Sequence, residues 1–396
     1  MLLLYKGYRE DICKLKNVNL IYNYIDPVKV NIRKKPIVIK LPKEVFSSKS
    51  LFYLASRIKF LYTYKWADWE IFIDLGDIKF ADKITYLIFD ALLYDLLKNT
   101  RFIVRVNLSA EPKMIQHNGL GGTALYRTTN KNNGVIDKEN FIKAYEKPMY
   151  SDKKVYRRLI THENLKSTNE WPSLVFTEVA AILKGHSTEE EWTDGVSEVV
   201  SELLCNVSSH TDGDCLIDID IADKLESNQF QADKQYLSVN VAVINFSENK
   251  LFDRIKGNLK EKKYESEDSL YNRIYKAYEI HKSFFNDRYN EDDFFLITAF
   301  QNHVSTRDYK SGTGGTGLTT LIEKIIDKTE QDYSYVLSGN NIIFFRTEYL
   351  TLSQDKFVGF NKENDYFNFR PAKEVISKSN LNIPGSVYHL LLIKEC

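Results

Sequence analysis

Three polar side chains that together could carry out chemistry stand four residues apart in the middle of the chain. Glu202, Asn206 and His210 supply a carboxylate, an amide and an imidazole. Each step of four residues turns about 40° beyond a full circle of an α-helix, so the three side chains lie in a row along one side of it. A carboxylate and an imidazole accept protons, and all three groups form hydrogen bonds and can bind cations. The row therefore predicts a binding or catalytic site, although ordinary polar positions on a surface helix give the same spacing.

A second stretch, about a hundred residues later, is dense in glycine. Residues 312–317 contain four glycines, which allow positive φ and a close approach of the backbone to a ligand. A helical pattern follows from Thr319 or Thr320, and the free N–H groups at a helix start favour phosphate. The loop lacks the Gly-Lys-Ser/Thr ending of a Walker loop, and no βαβ unit opens with it. It predicts a phosphate-binding loop or, alternatively, a flexible turn.

Hydrophobic periodicity predicts the elements around these residues. Within residues 194–215 the apolar side chains recur at helical spacing, which predicts an amphipathic helix. These apolar residues are Val196, Val199, Val200, Leu203, Leu204 and Val207. Strand-like runs follow at 215–221 and 236–246. Nearer the N-terminus, runs at 36–42, 70–75 and 101–106, with a helical pattern at 82–97, predict a parallel βαβ arrangement.

Composition limits the class of protein. The 396 residues suggest two domains or three small ones, and the 43% hydrophobic content is ample for real cores. The net charge is zero, with 54 basic and 54 acidic residues, so there is no clear signature of nucleic-acid binding. The four cysteines lack metal-site spacing, and no run is long enough to cross a membrane. The apolar run at residues 1–6 is too short for a signal peptide, so we expect a cytoplasmic protein.

The two chemical stretches resemble the motifs of GHKL ATPases, the gyrase, Hsp90, histidine-kinase and MutL type of ATP-binding domain. Glu202, Asn206 and His210 resemble the family's N box, and residues 312–318 resemble its late glycine box. Weaker similarities are residues 336–340, which resemble the strand and turn after the glycine-box helix, and 383–386, which resemble the turn before the last strand. The resemblance covers about residues 165–396.

This resemblance implies an α/β fold and an ATP site. The expected C-terminal domain, 166–396, is a Bergerat α/β sandwich, a mixed sheet with helices on one face. In it Glu202 acts as the general base, and Asn206 holds the Mg²⁺ that bridges the phosphates of ATP. Ser386 would bond near the adenine, and His210 is a further nucleotide-binding position. The expected phosphate-binding residues are Arg307, Lys310, Gly312, Gly314, Gly315, Thr316, Gly317 and Leu318.

The sequence departs from the family at the adenine-recognition motif. The family has Asp-x-Gly-x-Gly there, whereas Asn245 stands in the place of the aspartate and both glycines are missing. A hydrogen bond to a charged acceptor is worth about 1.5–3 kcal/mol and one to a neutral acceptor about 1 kcal/mol, so ATP affinity would fall roughly tenfold or more. An asparagine amide nevertheless offers both an acceptor and a donor, and asparagine pairs with adenine in this way in DNA complexes. We therefore expect Asn245 to retain adenine recognition in altered form.

The N-terminal part, residues 1–110, resembles the STAS domain, a small α/β module. Residues 73–82 carry this resemblance, and Lys83 stands where that family has its phosphorylated serine. A lysine cannot accept phosphate by that chemistry, so this domain is expected to dock a protein partner rather than to signal by phosphorylation. Residues 111–165 are rich in turn formers and predict a linker or hinge. A homodimer is expected from the resemblance to gyrase and Hsp90.

Three functions follow from these patterns. The presence of Glu202 favours an ATP-hydrolysing conformational switch. The loss of the Asp-x-Gly-x-Gly motif favours a nucleotide-binding scaffold that does not hydrolyse ATP. A protein kinase would require a phosphoacceptor histidine, and His162 is the nearest one before the domain, but it lacks the family's proline-containing context.

Overall fold

The computed structural model describes most of the chain. The described residues are 36–41, 45–108, 113–114, 122–129, 134–151, 154–187, 189–210, 212–222, 236–261, 270–302, 304, 317–325 and 334–395. They form a mixed α/β structure with parallel and antiparallel sheets. The chain divides into two compact units, one of Met1–Met149 with Asn380–Asn382, the other of Tyr150–Ser379 with Ile383–Cys396.

The first unit contains a parallel three-stranded sheet in the order β1-β2-β4. Its strands are β1 Ile37–Lys40, β2 Glu70–Gly76, β3 Lys79–Phe80, β4 Ile103–Leu108 and β5 Lys113–Met114. Its helices are α1 Ser48–Leu61, α2 Lys83–Asn99, α3 Ala124–Thr129 and α4 Lys138–Glu146. The short strands β3 and β5 pair separately. The predicted strand, helix, strand order with parallel strands is confirmed.

Carboxylates accept hydrogen bonds at the starts of two helices in this unit. Asp82 precedes α2, and its carboxylate accepts a hydrogen bond from the Thr85 N–H at 2.8 Å, which caps the helix. In the middle of α2, buried Asp90 accepts hydrogen bonds from the N–H groups that begin α3. Lys83, at the place of the serine in the STAS resemblance, is fully buried.

The second unit is built on a six-stranded sheet in the order β10-β11-β9-β8-β7-β6. Its strands are β6 Met149–Ser151, β7 Val155–Ile160, β8 Cys215–Ala222, β9 Tyr236–Asn245, β10 Tyr335–Phe344 and β11 Ile376–Glu395. Its helices are α5 His162–Ser167, α6 Trp171–Leu183, α7 Glu190–His210, α8 Asp253–Lys260, α9 Leu270–His281, α10 Glu291–Thr298 and α11 Gly317–Ile325. Strands β7, β8, β9, β11 and β10 pair antiparallel in that order.

Alternate residues of the central strands divide between the two faces of this sheet. One set joins the hydrophobic core with α6 and α7; in β9 it consists of Leu237, Val239, Val241 and Val243. The opposite set contains polar residues that are also buried. In that set Arg157 on β7 pairs with Asp218 on β8 at 2.9 Å, and both side chains have zero exposure.

Several predicted boundaries differ from the structure. Helix α11 begins at Gly317, two or three residues before the predicted start at Thr319 or Thr320. Where residues 383–386 predict a turn, β11 is continuous, because Gly385 takes the bend with φ of +92° inside the strand. Within the predicted linker at 111–165, the described residues form helices and strands, and the division between units falls at 149/150.

Candidate functional site

Helix α7 positions the first group of predicted site residues. Its apolar stripe from Val196 to Val207 is buried in the core, so the row containing Glu202 and Asn206 lies beside that stripe. Glu198, one turn earlier in the same row, forms an ion pair with Lys324 of α11 at 2.9 Å. The pair is substantially exposed, so it contributes little stability. It shows, however, that this side of α7 faces the helix that follows the glycine loop.

The side chains of the row are not equally placed. Glu202 and Asn206 are half-buried, and the Nδ2 atom of Asn206 is buried with no hydrogen-bond partner among the described residues. His210 ends α7, and its side chain is outside the described part of the structure.

The end of β9 positions the second group. Asn245 is its last residue, and strand alternation points its side chain to the same face as Val243, the face that α7 covers. The residue is 1% exposed, and in the part of the chain that the structure describes neither Oδ1 nor Nδ2 of its amide has a hydrogen-bond partner. In register, Asn245 lies between Ser386 on β11 and Cys215 on β8.

Both neighbours of Asn245 share its orientation. Ser386 is buried, and it precedes the core residues Tyr388 and Leu390 at alternate positions of β11. Cys215 is fully buried in the same core, and burial raises the pKa of its thiol. The predicted adenine-site residues Asn245 and Ser386 are therefore adjacent on one face of the sheet.

Two glycines allow the backbone to pack closely at this end of the sheet. A Cβ atom on Gly385 would lie 2.2 Å from the carbonyl oxygen of Asn245, and one on Gly213 would lie 2.2 Å from that of Phe246. These distances are far below any normal contact. The Ser338 hydroxyl joins two parts of the backbone here. It donates to the Gly385 carbonyl of β11 at 2.6 Å and accepts from the Leu251 N–H at 2.9 Å.

The turn between α7 and β8 brings the two groups to the same end of the unit. It runs through residues 212–214, directly from the end of α7 to Cys215, the neighbour of Asn245. Asn206 precedes the last residue of α7 by only about 6 Å of helix rise. The Phe246 N–H donates to the Asp214 carbonyl at 2.9 Å, which joins the turn to the residue after β9. Asn206 and Asn245 are thus held at one end of the same layer.

Two residues at this end were not expected from the sequence. The Ser247 hydroxyl donates to the Asp212 carboxylate at 2.7 Å, and this bond, the first among several causes, lowers the pKa of Asp212. Their signal in the sequence was weak, because each is a single polar residue in a turn. Only the pairing of β8 with β9 shows that the two turns meet.

Most of the glycine loop lies outside the described residues. The predicted phosphate-binding residues outside the described residues are Arg307, Lys310, Gly312, Gly314, Gly315 and Thr316. Gly317 is the first residue of α11, and Leu318 is buried in the core. Among the described residues there is no cluster of three or more His, Cys, Asp or Glu side chains that could hold a metal ion.

Two cavities in the described residues lie away from Asn206 and Asn245. One of about 590 Å³ lies at the carboxyl ends of β1 and β2, between Lys40, Asp74 and Asp77. The other, of about 1010 Å³, is in the second unit; its lining includes Arg288, Lys362, Phe369 and Arg370. None of the predicted site residues lines either cavity.

The comparisons with known proteins add no identification. No family model, curated protein or solved structure matches the chain. Among the described helices, none is both long and apolar enough to cross a membrane.

Proposed function

We propose that the second unit binds ATP with Mg²⁺ and hydrolyses it, and that the protein acts as a nucleotide-dependent conformational switch of the GHKL type with a Bergerat fold. The observation that supports this most is the buried amide of Asn245. It has no partner among the described residues, and it lies beside Ser386 at the same end of the layer as Asn206. These are three of the positions at which the resemblance implies nucleotide contacts.

Burial of the two asparagine amides has an energetic cost that a ligand could remove. A buried amide without a hydrogen bond costs about 1–3 kcal/mol in proteins. Asn245 incurs this cost with both polar atoms, and Asn206 incurs it with Nδ2. A ligand with complementary donors and acceptors would remove the cost on binding. A purine base at Asn245 and phosphate oxygens near Asn206 have that complementarity.

Each residue then has a role in the proposal. Glu202 orients and deprotonates the attacking water, and Asn206 binds the metal through its side-chain oxygen. When bound, Mg²⁺ neutralises negative charge on the phosphates. The glycine loop supplies backbone N–H donors to the phosphates. The Glu198–Lys324 pair supports this arrangement, because it shows that the Glu202 side of α7 faces the helix that the loop precedes.

A scaffold that binds ATP without hydrolysing it is the second candidate. The replacement of the family aspartate by Asn245 favours it, because a neutral acceptor holds the base less strongly than a charged one. A kinase is less favoured, because its nearest candidate phosphoacceptor, His162, lies at the start of the short helix α5. The backbone N–H of His162 donates to the Asp214 carboxylate beside the sheet.

A binding and hydrolysis experiment tests the proposal. Titration with labelled ATP and Mg²⁺ is expected to show binding to the parent protein and a loss of tenfold or more in Asn245→Ala. Asn249→Ala is the matched control, because Asn249 is an exposed asparagine four residues further on, and it should bind like the parent. Equal binding by Asn245→Ala and the parent would show that the site is elsewhere.

The same samples separate the switch from the scaffold. Phosphate release should fall by about 10²-fold or more in Glu202→Ala while ATP binding is retained, because a positioned general base contributes about 10²–10⁴-fold. Glu198→Gln changes the acid one turn earlier and should keep most of the activity. Binding without phosphate release in the parent would support the scaffold.

A further inference from the structure

We propose that the nucleotide site accepts 6-oxopurine nucleotides, such as ITP, as readily as ATP, because Asn245 can recognise either substituent at position 6 of the base. This inference rests on the proposed function and defines the class of nucleotide that the site takes. It follows from the freedom of one buried amide group rather than from the resemblance, in which the equivalent residue is an aspartate.

The substituents at position 6 of adenine and hypoxanthine differ in their hydrogen bonding. Adenine carries an amino group at position 6, which donates a hydrogen bond, whereas hypoxanthine carries an oxo group there, which accepts one. A carboxylate only accepts, so it favours the amino group and repels the oxo group. A carboxamide has an acceptor oxygen and a donor nitrogen on the same carbon, and rotation by 180° about the last side-chain bond exchanges them.

Among the described residues, no hydrogen bond holds the Asn245 amide in one orientation. A buried asparagine is ordinarily held in one orientation by hydrogen bonds to neighbouring groups. In the described part of the chain, Asn245 makes no hydrogen bond through Oδ1 or Nδ2. Its two neighbours in register are Ser386, whose hydroxyl both donates and accepts, and Cys215, a weakly polar thiol. None of these groups imposes an orientation on the amide, so the bound base selects it.

Direct comparison of nucleotides tests this inference on the parent protein. ATP, ITP and purine riboside triphosphate, which has no substituent at position 6, are titrated with Mg²⁺ under identical conditions. The dissociation constants of ATP and ITP are expected to agree within about threefold. Purine riboside triphosphate is expected to bind about tenfold more weakly, because it leaves one amide atom unpaired.

The variant Asn245→Asp provides the second arm. An acceptor-only side chain should retain ATP and weaken ITP by about tenfold or more, which changes the ratio of the two constants rather than both together. A thermal melt of each sample tests whether the variant is folded. If the variant is unfolded, the comparison of three nucleotides on the parent protein still tests the inference.

The outcomes are distinct. If the parent binds no triphosphate, the proposed function itself fails. If the parent binds ATP but binds ITP more than tenfold more weakly, the proposed function stands and this inference is wrong. An unchanged ratio in folded Asn245→Asp, or equal binding of purine riboside triphosphate, would show that Asn245 does not contact position 6.

Discussion

Among single residues, His281 shows how the fold determines a charge state. It ends α9 and is 2% exposed; its Nε2 lies 2.9 Å from the Tyr366 carbonyl oxygen and its Nδ1 2.5 Å from the Tyr289 hydroxyl. A carbonyl only accepts, so Nε2 carries the proton and Nδ1 accepts from the tyrosine. Burial, the largest cause, lowers the pKa of His281 to about 4 from 6.5. Both ring nitrogens are therefore satisfied in the neutral form.

We expect the free energy of unfolding to fall in mild acid because of this histidine. Between pH 6.5 and pH 4 the unfolded chain binds a proton that the folded chain does not, so stability is full above pH 6.5 and is lost as the pH falls. The shift in the pKa of His281 corresponds to a loss of about 2 kcal/mol in the free energy of unfolding from pH 7 to pH 5. Urea unfolding of the parent and of His281→Phe at both pH values measures it.

The variant should be less stable at pH 7, because the Tyr289 hydroxyl and the Tyr366 carbonyl lose their partner. Its stability should nevertheless depend less on pH in this range than that of the parent. If the free energy of unfolding depends on pH in the same way in both proteins, His281 is not the cause of the loss of stability in mild acid. No local sequence pattern could predict the hydrogen bond of His281 to a residue 85 positions away in the chain.

At the scale of elements, β11 is the clearest case in which local sequence and structure differ. A Pro-Gly pair is typical of a turn, yet residues 376–395 form one strand. Its pairing with β9 from Ser386 onwards and with β10 on its other side outweighs the local preference. Gly385 makes this possible, since its φ of +92° and its contact with the Asn245 carbonyl both exclude a side chain.

Two glycine substitutions should therefore have opposite effects. Gly385→Ala is expected to lower the free energy of unfolding by about 1–3 kcal/mol, because alanine is strained at positive φ. It should also weaken ATP binding, because it displaces Asn245. Gly257→Ala, inside α8 with open space around its Cβ position, should instead raise stability by about 0.5–1 kcal/mol. Urea unfolding measures both, and equal effects would contradict this account.

The elements differ in how far the sequence determined them. Helices α2 and α7 follow from the helical spacing of their apolar residues, and strands β2, β8 and β9 follow from short apolar runs. The neighbours of Asn245 could not be derived in this way. Its position beside Ser386 depends on pairing between strands 141 residues apart, which no local pattern encodes.

For the whole molecule, we expect a dimer when nucleotide is bound, by resemblance to the gyrase and Hsp90 type. Light scattering after size exclusion should give a mass near 46.2 kDa without nucleotide, and about twice that with a non-hydrolysable ATP analogue and Mg²⁺. Asn245→Ala should remain at the lower mass. If the parent protein binds nucleotide but its mass does not change, nucleotide binding and dimerisation are not coupled.

The buried pair of Arg157 and Asp218 bears on the precision of the whole sheet. Separating the two charges in a dry interior would cost several kcal/mol, so β8 cannot slide along β7 without a large penalty. A shift of one residue would also turn every side chain of the strand to the opposite face. Cys215 lies three residues before Asp218 on β8 and pairs with Asn245 on the next strand, β9. An ion pair between β7 and β8 thus helps to hold β8, the strand against which Asn245 is aligned.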